Sequence, residues 1–398
     1  MRILAINSTD TGSTGNIAVK ILEYAKSKGH SVCLACVAPK VTSVPVYDIS
    51  CGKANRFFNH LIARVFGKDG FVSSRNTKHL ISFITYFKPD IIHLHNLHDY
   101  YVNIKKLFNT IRSKRIKVVW TFHDCWAFTG KCPNFLHNRC DKWTKTCKHC
   151  PAKHEYPNSL VFNPTDRLLK IKRKIFSETD INIVCPSKWM QSNVLKSGIK
   201  YKTISQIYNG IDDLYFKKPV KKLEKNSNKI ILSVAYPWTP HKGLDAILNY
   251  AKYKENDVST KFVVVGIENV KSHLKNVEFL GRLQSNDLIE LYDKATILLN
   301  PSKEESFGLT NIEAQSRGTP AIILQQSGGA IETVINKETG LIIDDSKPET
   351  MDDAFSYIIT HRDSFSEKCK ANANNFTINT MNKKYLDIYE QIFKTKKV

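Results

Sequence analysis

Acidic residues are scarce: the 398-residue chain carries 37 Asp and Glu against 59 Lys and Arg, a formal charge of +22. No uncharged apolar run reaches about 18 residues, which argues against a bilayer-spanning helix. The opening MRILAINSTDTGSTGN is a short apolar strand and a polar loop. It lacks the charged, long-apolar, small-residue order of a secretory signal, so a cytoplasmic location is expected. Short repeats and low-complexity tracts are missing too. With 42% hydrophobic and 24% charged residues, the chain is neither disordered nor fibrous. Its length points to two domains.

The positive charge is uneven, +19 up to Tyr215 and +3 from Phe216 onward. A strongly basic half suits nucleic acid, an anionic membrane surface or phosphorylated substrates. Five of the ten cysteines lie between Cys125 and Cys150. In a reducing compartment such clustering more often means metal or chemistry than disulfides. Cys132, Cys140, Cys147 and Cys150, with seven, six and two residues between them, end in CKHC. Four thiolates with one CxxC can close a structural zinc site, and His137 or His149 can replace one ligand. Buried free thiols, or a disulfide under oxidation, are the alternatives.

Short apolar runs alternate with helical stretches. RILAI (2–6), SVCLACVA (31–38), DIIHLH (90–95), KVVWTFH (117–123) and NIVCPS (182–187) read as strands, and 16–29 as a helix. A lysine-rich polar stretch, 217–229, reads as a linker. The alternation then restarts with IILSVAY (230–236), a helix over 244–253, KFVVVG (261–266), ATILLNP (295–301), TPAIIL (319–324) and TGLIID (339–344). This is the pattern of two doubly wound parallel sheets, with an amphipathic helix from about Asn379. We therefore divide the chain into 1–215, 216–378 and a closing helix 379–398 that can cross back to the first domain. Ligands of open parallel sheets bind beyond the strands' carboxyl ends, so a cleft between the domains is the expected active site.

Polar residues collect at those ends. Asp10–Gly15 (DTGSTG) follows the first strand; it is neither GxGxxG nor a phosphate-binding Walker loop, and its glycines Gly12 and Gly15 permit close backbone approach. His93 and His95 end one strand and His123 another, where a neutral imidazole can donate to a sugar hydroxyl. Lys242, in HKG, sits where a helix begins and can meet a diphosphate; in isolation it is a solvated lysine. In NPSKEESFGLTNIEAQSRGTP (300–320), Glu305 and Glu313 are eight apart, one in a loop and one inside the following helix. Carboxylates accept paired hydrogen bonds from vicinal diols, so sugar and ribose are natural partners for them. SGGAIETV (327–334) is a second glycine-rich turn suited to backbone–phosphate contact.

At these residues the chain resembles the retaining glycosyltransferases of family 4. The matching elements, in order, are the first glycine loop, TFHD, PSKW (186–189), YNGID (208–212), HKGLD (241–245), ESFGLTNIE (305–313) and the GTP and GG turns. KHLISFITYFKPDIIHLHNLHDYYVNIKKLF and VVWTFHDCWAFTGKCPNF are similar to the colanic-acid, exopolysaccharide-type branch. The resemblance implies the α/β GT-B architecture, two Rossmann-like doubly wound parallel-sheet domains facing across a cleft. It implies transfer of a hexose-type sugar from a nucleotide diphosphate sugar to a lipid-linked or oligosaccharide acceptor, in exopolysaccharide, capsule or lipopolysaccharide synthesis. In that family Glu305 would hold the donor sugar and Glu313 the ribose. Backbone N–H groups of Phe307, Gly308 and Leu309 would meet sugar and phosphate, His123 the sugar, and Gly15 the diphosphate. Lys242 would stabilise the leaving diphosphate, with no catalytic metal needed. One departure stands out: the usual Arg five residues before this lysine is Pro237, and Arg282 or Lys303 is the candidate replacement.

KANRFFNHLIARVFGKDGF (53–71) puts Phe57, Phe58, Leu61, Ile62, Val65 and Phe66 at helical spacing among basic residues. It reads either as a peripheral contact with the inner membrane face or as a surface helix packed by its apolar stripe. DRLLKIKRKIF (166–176) is a second basic candidate. A nucleotide-sugar epimerase on a similar scaffold is the alternative function. A zinc-stabilised nucleic-acid-binding protein would leave the carboxylate pair unexplained, so no nucleic-acid partner is expected.

Overall fold

The computed structural model describes residues 1–41, 43–218, 229–268 and 270–394. Most of the expected linker, 219–228, lies outside the described residues. The chain divides into two compact units, Met1–Tyr208 with the segment from Met381 onward, and Asn209–Thr380.

The first unit holds seven strands: β1 (Arg2–Ile6), β2 (Ser31–Cys36), β3 (Val46–Asp48), β4 (Ile91–Leu94), β5 (Lys117–Thr121), β6 (Ile181–Cys185) and β7 (Thr203–Gln206). They are all parallel, in the order β3-β2-β1-β4-β5-β6-β7. The strand order therefore reverses between β1 and β4, which pair from Ile3↔Ile91 to Ile6↔Leu94. The inner strands are continuous apolar runs because helices cover both faces, and Leu4, Ile92, Val118 and Ile183 are fully buried in the core. Their neighbouring helices begin at side-chain caps where the sequence provides them, such as Asn103 on the Lys106 N–H and Ser187 on the Met190 N–H.

The second unit holds β8 (Lys229–Val234), β9 (Thr260–Val265), β10 (Val277–Leu280), β11 (Ile297–Asn300), β12 (Ala321–Leu324) and β13 (Gly340–Ile343). They too are all parallel, in the order β10-β9-β8-β11-β12-β13, with the reversal between β8 and β11. Buried Arg317 ties the entry segment to this unit. Its guanidinium donates to both Asp293 oxygens (2.8 and 3.0 Å) and to the carbonyls of Tyr215 and Lys218.

The last helix, Ile378–Lys394, joins the first unit from Met381. Tyr389 bonds His93 at 2.6 Å and Tyr385 bonds Thr121 at 2.9 Å. The Lys117 ammonium caps the helix end on the carbonyls of Ile392 and Phe393 (2.8 and 2.9 Å). Among the described residues no helix is long and apolar enough to cross a membrane.

Candidate functional site

In the second unit the loops leaving β8 and β11 meet at the reversal of strand order. The chain after β8 turns through Pro240–Lys242 into the helix Leu244–Tyr253, and Gly243 between them has φ +76°. A Cβ there would stand 2.5 Å from the Pro301 carbonyl oxygen, so glycine lets the two loops touch. The Lys303 N–H donates to the His241 carbonyl (2.7 Å). Lys242 Nζ then reaches Glu305 Oε1 at 2.7 Å, both side chains about one-fifth exposed. This is a pair two loops build, and it leaves cation and carboxylate accessible together.

Glu305 is held by its backbone. Its N–H donates to Ser327 O (2.9 Å) and its carbonyl accepts from the Gly329 N–H (2.8 Å). In the SGGAIETV turn the Gly329 N–H braces the Glu305 loop. Phe307 buries its ring near Phe376, centroids 5.7 Å apart. Gly308, at φ +96°, opens the helix Leu309–Ser316, and a Cβ on it would lie 3.0 Å from both Ala330 and Asn311. The Asn311 N–H donates to the capping Gly308 carbonyl (3.1 Å), and the N–H groups of Leu309 and Thr310 before it stand at the positive end of the helix. Fully buried Asn311 bonds Asn300 and Thr333, both at 2.9 Å, and so fixes the helix against β11.

Glu313 has different surroundings from Glu305. It is half-buried and accepts from the Tyr292 hydroxyl at 2.9 Å. Burial lifts it above the usual carboxylate range, and the hydroxyls of Tyr292 and Tyr215 pull back against that. Of the two cations suggested for the place of Pro237, Arg282 lies over the ring of the adjacent Tyr236, 5.1 Å from its centroid, whereas Lys303 is 3.8 Å from Asp245.

In the first unit the loops after β1 and β4 also meet at the reversal, where Asn7 Oδ1 accepts from the Asn96 N–H (3.1 Å). The glycine loop is tightly built. Asp10 is buried and accepts from the backbone of Lys40 and Val41, and Gly12 has φ +74°. A Cβ on Gly15 would lie 2.4 Å from the Asp10 carbonyl carbon, so this glycine serves close packing of loop on helix.

His93, His95 and His123 converge. His95 Nδ1 and His123 Nε2 are 2.9 Å apart; His93 bonds Thr121 through Nε2 (2.8 Å) and Tyr389 through Nδ1. Burial drives His93 down to about 3 and His123 to about 4, and pushes His95 well below its ordinary value, so all three are neutral. His95 Nε2 is buried with no partner among the described residues. A proton there would be an unsatisfied buried donor, the costlier arrangement, so the His95 proton belongs on Nδ1. It donates to His123 Nε2, and His123 carries its own proton on Nδ1. Beside them, His98 bonds Asp124 (2.7 Å) and Tyr156 (2.9 Å). Burial opposes charge on His98, yet the facing Asp124 raises it overall. His95, His98, Trp120, His123, Asp124 and Trp126 line one small cleft. Two larger cavities, about 540 and 690 Å³, lie near the amino ends of strands, at Lys117 and Asn182 and at Arg2 and Lys117, away from where open sheets bind ligands.

Sequence reading missed His98, Tyr156, Asn7, Asn96, Asn311 and the two tyrosines of the last helix. Only His98 carried a signal, three residues after His95 in HLHNLHD.

The cysteine loop does not assemble the expected zinc ligands. Among the described residues no three His, Cys, Asp or Glu side chains are grouped to hold a metal ion, and Cys132, Cys140, Cys147 and Cys150 are free thiols. Burial pushes Cys132 up to about 12 and Cys147 to about 11. Ordinary hydrogen bonds hold the loop instead. Buried Lys131 donates to the carbonyls of Lys153 (2.7 Å) and Pro157 (2.9 Å), and His137 pairs with Glu155 (2.6 Å).

Comparison with known proteins fits both units. The family model Glycosyltransferase Family 4 matches residues 14–213, and the model Glycosyl transferases group 1 matches 216–376. A 41.2 kDa protein from the cps region of Klebsiella pneumoniae, itself uncharacterised, is 25% identical, over 98% of this chain and 99% of its own. WcaC of Escherichia coli K12, whose name assigns it to colanic acid glycosyl transfer, is 24% identical over 76% of this chain and 77% of its own. The crystal structure of HepE from Anabaena in complex with UDP and glucose superposes with a TM-score of 0.68 at 14% identity, covering 98% of this chain and 99% of that one.

Proposed function

The chain belongs to glycosyltransferase family 4, with two Rossmann-like parallel-sheet domains of the GT-B class, and from that premise we propose the reaction it performs. It moves a hexose-type sugar, with retention of configuration, from a nucleoside diphosphate sugar to a lipid-linked saccharide at the cytoplasmic face of a bacterial membrane. The product is a bacterial surface polysaccharide. The observation that carries this reading is the Lys242–Glu305 pair at 2.7 Å, held at the strand reversal beside the N-terminus of Leu309–Ser316.

That pair suits both ends of a donor. Glu305 accepts hydrogen bonds from sugar hydroxyls, and only its Oε1 is engaged by Lys242. The ammonium meets the negative charge that grows on the leaving diphosphate, together with the helix N–H groups. Arg282, over the ring of Tyr236, is the second cation in this scheme, so the diphosphate is neutralised by the chain's own groups without a catalytic metal. Glu313 takes the ribose, and His123 offers Nδ1–H to the transferred sugar. The UDP and glucose bound by HepE, and the cps and colanic acid contexts of the two relatives, support the donor class and the pathway.

The test is a thermal-shift panel of UDP- and GDP-sugars on the full chain, followed by turnover assays with and without EDTA. One nucleotide sugar is expected to raise Tm in proportion to ln(1 + [L]/Kd). Lys242→Ala and Glu305→Gln are expected to lower turnover by roughly 10²–10³-fold, the scale of losing one transition-state contact. EDTA is expected to change nothing. If no nucleoside diphosphate sugar binds, the reading is wrong.

A further inference from the structure

The helix Gly52–Phe66 points its apolar stripe the wrong way for a packed surface helix. Only Ala63 is buried, with Asn55 and Asn59 half-buried two turns and one turn before it, so the inward face is narrow and largely polar. Asn55 anchors it to Asn76 (2.7 Å) and His60 rests edge-on against Tyr100. Phe57 is 65% exposed, Phe58 59%, and Leu61, Ile62 and Phe66 are exposed with them.

A second segment, silent in the sequence, extends this face. Gly67 ends the helix at φ +60°, leaving no room for a Cβ against the Phe162 carbonyl (2.6 Å). The N–H groups of Leu160 and Phe162 donate to the carbonyls of Arg64 (2.8 Å) and Val65 (3.0 Å). Phe66 and Phe162 stack with ring centroids 5.5 Å apart and planes nearly parallel. Leu160, Val161 and Phe162 are all exposed, so eight large apolar side chains from two segments form one outward face. Such a contiguous face marks an interaction site.

We infer that this two-segment face docks the enzyme on an anionic phospholipid bilayer. The charges around it decide the occupant. Lys53, Arg56, Arg64 and Lys68 are exposed or half-buried on the helix and its end, and none of them makes an ion pair among the described residues. Neither 51–68 nor 157–163 contains a single Asp or Glu. In a two-fold dimer the patch would meet its own copy, cations against cations, with no acid in either segment to pair them. An anionic headgroup layer matches the cations while its acyl boundary takes the phenylalanines. The other basic candidate, within the helix Thr165–Ser177, offers no such face: Leu168, Leu169, Ile175 and Phe176 are buried, and Lys172 is buried against the Trp126 ring. The inference rests on the glycosyl-transfer reading for its purpose, since a lipid-linked acceptor would be met there, but not for the binding itself.

The test is flotation of the full-length protein with vesicles of phosphatidylglycerol or of phosphatidylcholine, at low and high salt. The wild type is expected to float with phosphatidylglycerol, weakly with phosphatidylcholine, and less as salt rises. Phe58→Glu and Phe162→Glu, at exposed positions, are each expected to keep the wild-type Tm and donor turnover. Each is expected to weaken vesicle binding roughly tenfold or more, the scale of one buried phenylalanine. Arg56→Glu/Arg64→Glu is expected to lose the preference for phosphatidylglycerol. Wild type that stays with the solution, variants that float equally well, or a dimer abolished by Phe58→Glu would each overturn the inference. Floating without turnover of any nucleotide sugar would leave the docking standing and refute the catalytic reading; turnover without floating would do the reverse.

Discussion

Acid should unfold the first unit through its histidines. His93, His95 and His123 stay neutral in the fold because burial holds His93 at about 3, His123 at about 4 and His95 well below its ordinary value. The unfolded chain returns each to about 6.5. A depressed histidine adds stability that is present above the unfolded pKa and is lost as pH falls toward the folded value. Near pH 5.5 each takes up about 0.9 proton on unfolding, which is a slope of about 1.2 kcal/mol per pH unit. Three together give roughly 3.5 kcal/mol per unit near pH 5.5, easing to about 2 at pH 6.5. Other groups act in the opposite sense: His98, Asp69 and Asp99 are all raised, so each favours its proton in the fold. A difference measurement isolates one histidine. Urea unfolding of the wild type and of His93→Gln, followed by the fluorescence of buried Trp120 and Trp126, should give slopes differing by about 1.2 kcal/mol per pH unit. Parallel lines for the two proteins would refute the assignment of a buried, neutral His93.

Three further outcomes follow from the second unit. Gly243→Ala must move a loop, because its Cβ would meet the Pro301 oxygen at 2.5 Å from a backbone at φ +76°; we expect about 1–3 kcal/mol lost in a thermal melt and a raised KM for the donor. Arg317→Leu leaves Asp293 buried and unpaired, so urea titration should show about 3–5 kcal/mol lost, most of it recovered in Arg317→Leu/Asp293→Leu. Arg282→Gln, at an exposed side chain, should shift stability by less than about 0.5 kcal/mol yet weaken nucleoside diphosphate binding roughly tenfold in a titration. Unchanged affinity would remove Arg282 from the donor site.

The inner strands of both sheets were legible because burial on both faces demands continuous apolar runs, as in RILAI and KFVVVG. Their bounds shifted by only a residue or two: 230–236 became Lys229–Val234, and 295–301 became Ile297–Asn300. The helix over 244–253 was read to the residue. The short strands Val46–Asp48, Thr203–Gln206 and Val277–Leu280 were not seen, since polar residues among them blur any run and pairing with a neighbour makes them strands. At the site, Lys242 and Glu305 were named from local context, but their contact spans 63 residues and had no local signal. The four clustered thiols illustrate the converse: spacing along the chain suggested ligands, while side-chain packing sent Cys132 and Cys147 into the core.

Composition and order along the chain were enough to establish two parallel-sheet domains, the absence of a spanning helix among the described residues, and the family motifs. Those properties are local or additive: an apolar run, a glycine after a strand, a count of charges. The helix Gly52–Phe66 shows where locality ends. Its apolar and basic stripes were visible in the letters, but whether phenylalanines turn inward or outward depends on what the rest of the fold offers to cover them. Only tertiary structure decided that Phe57 and Phe58 face out, that Phe162 joins them, and that Lys172 faces in. The +22 charge is a property of the sequence; which of its cations stand unpaired beside exposed apolar side chains is a property of the fold.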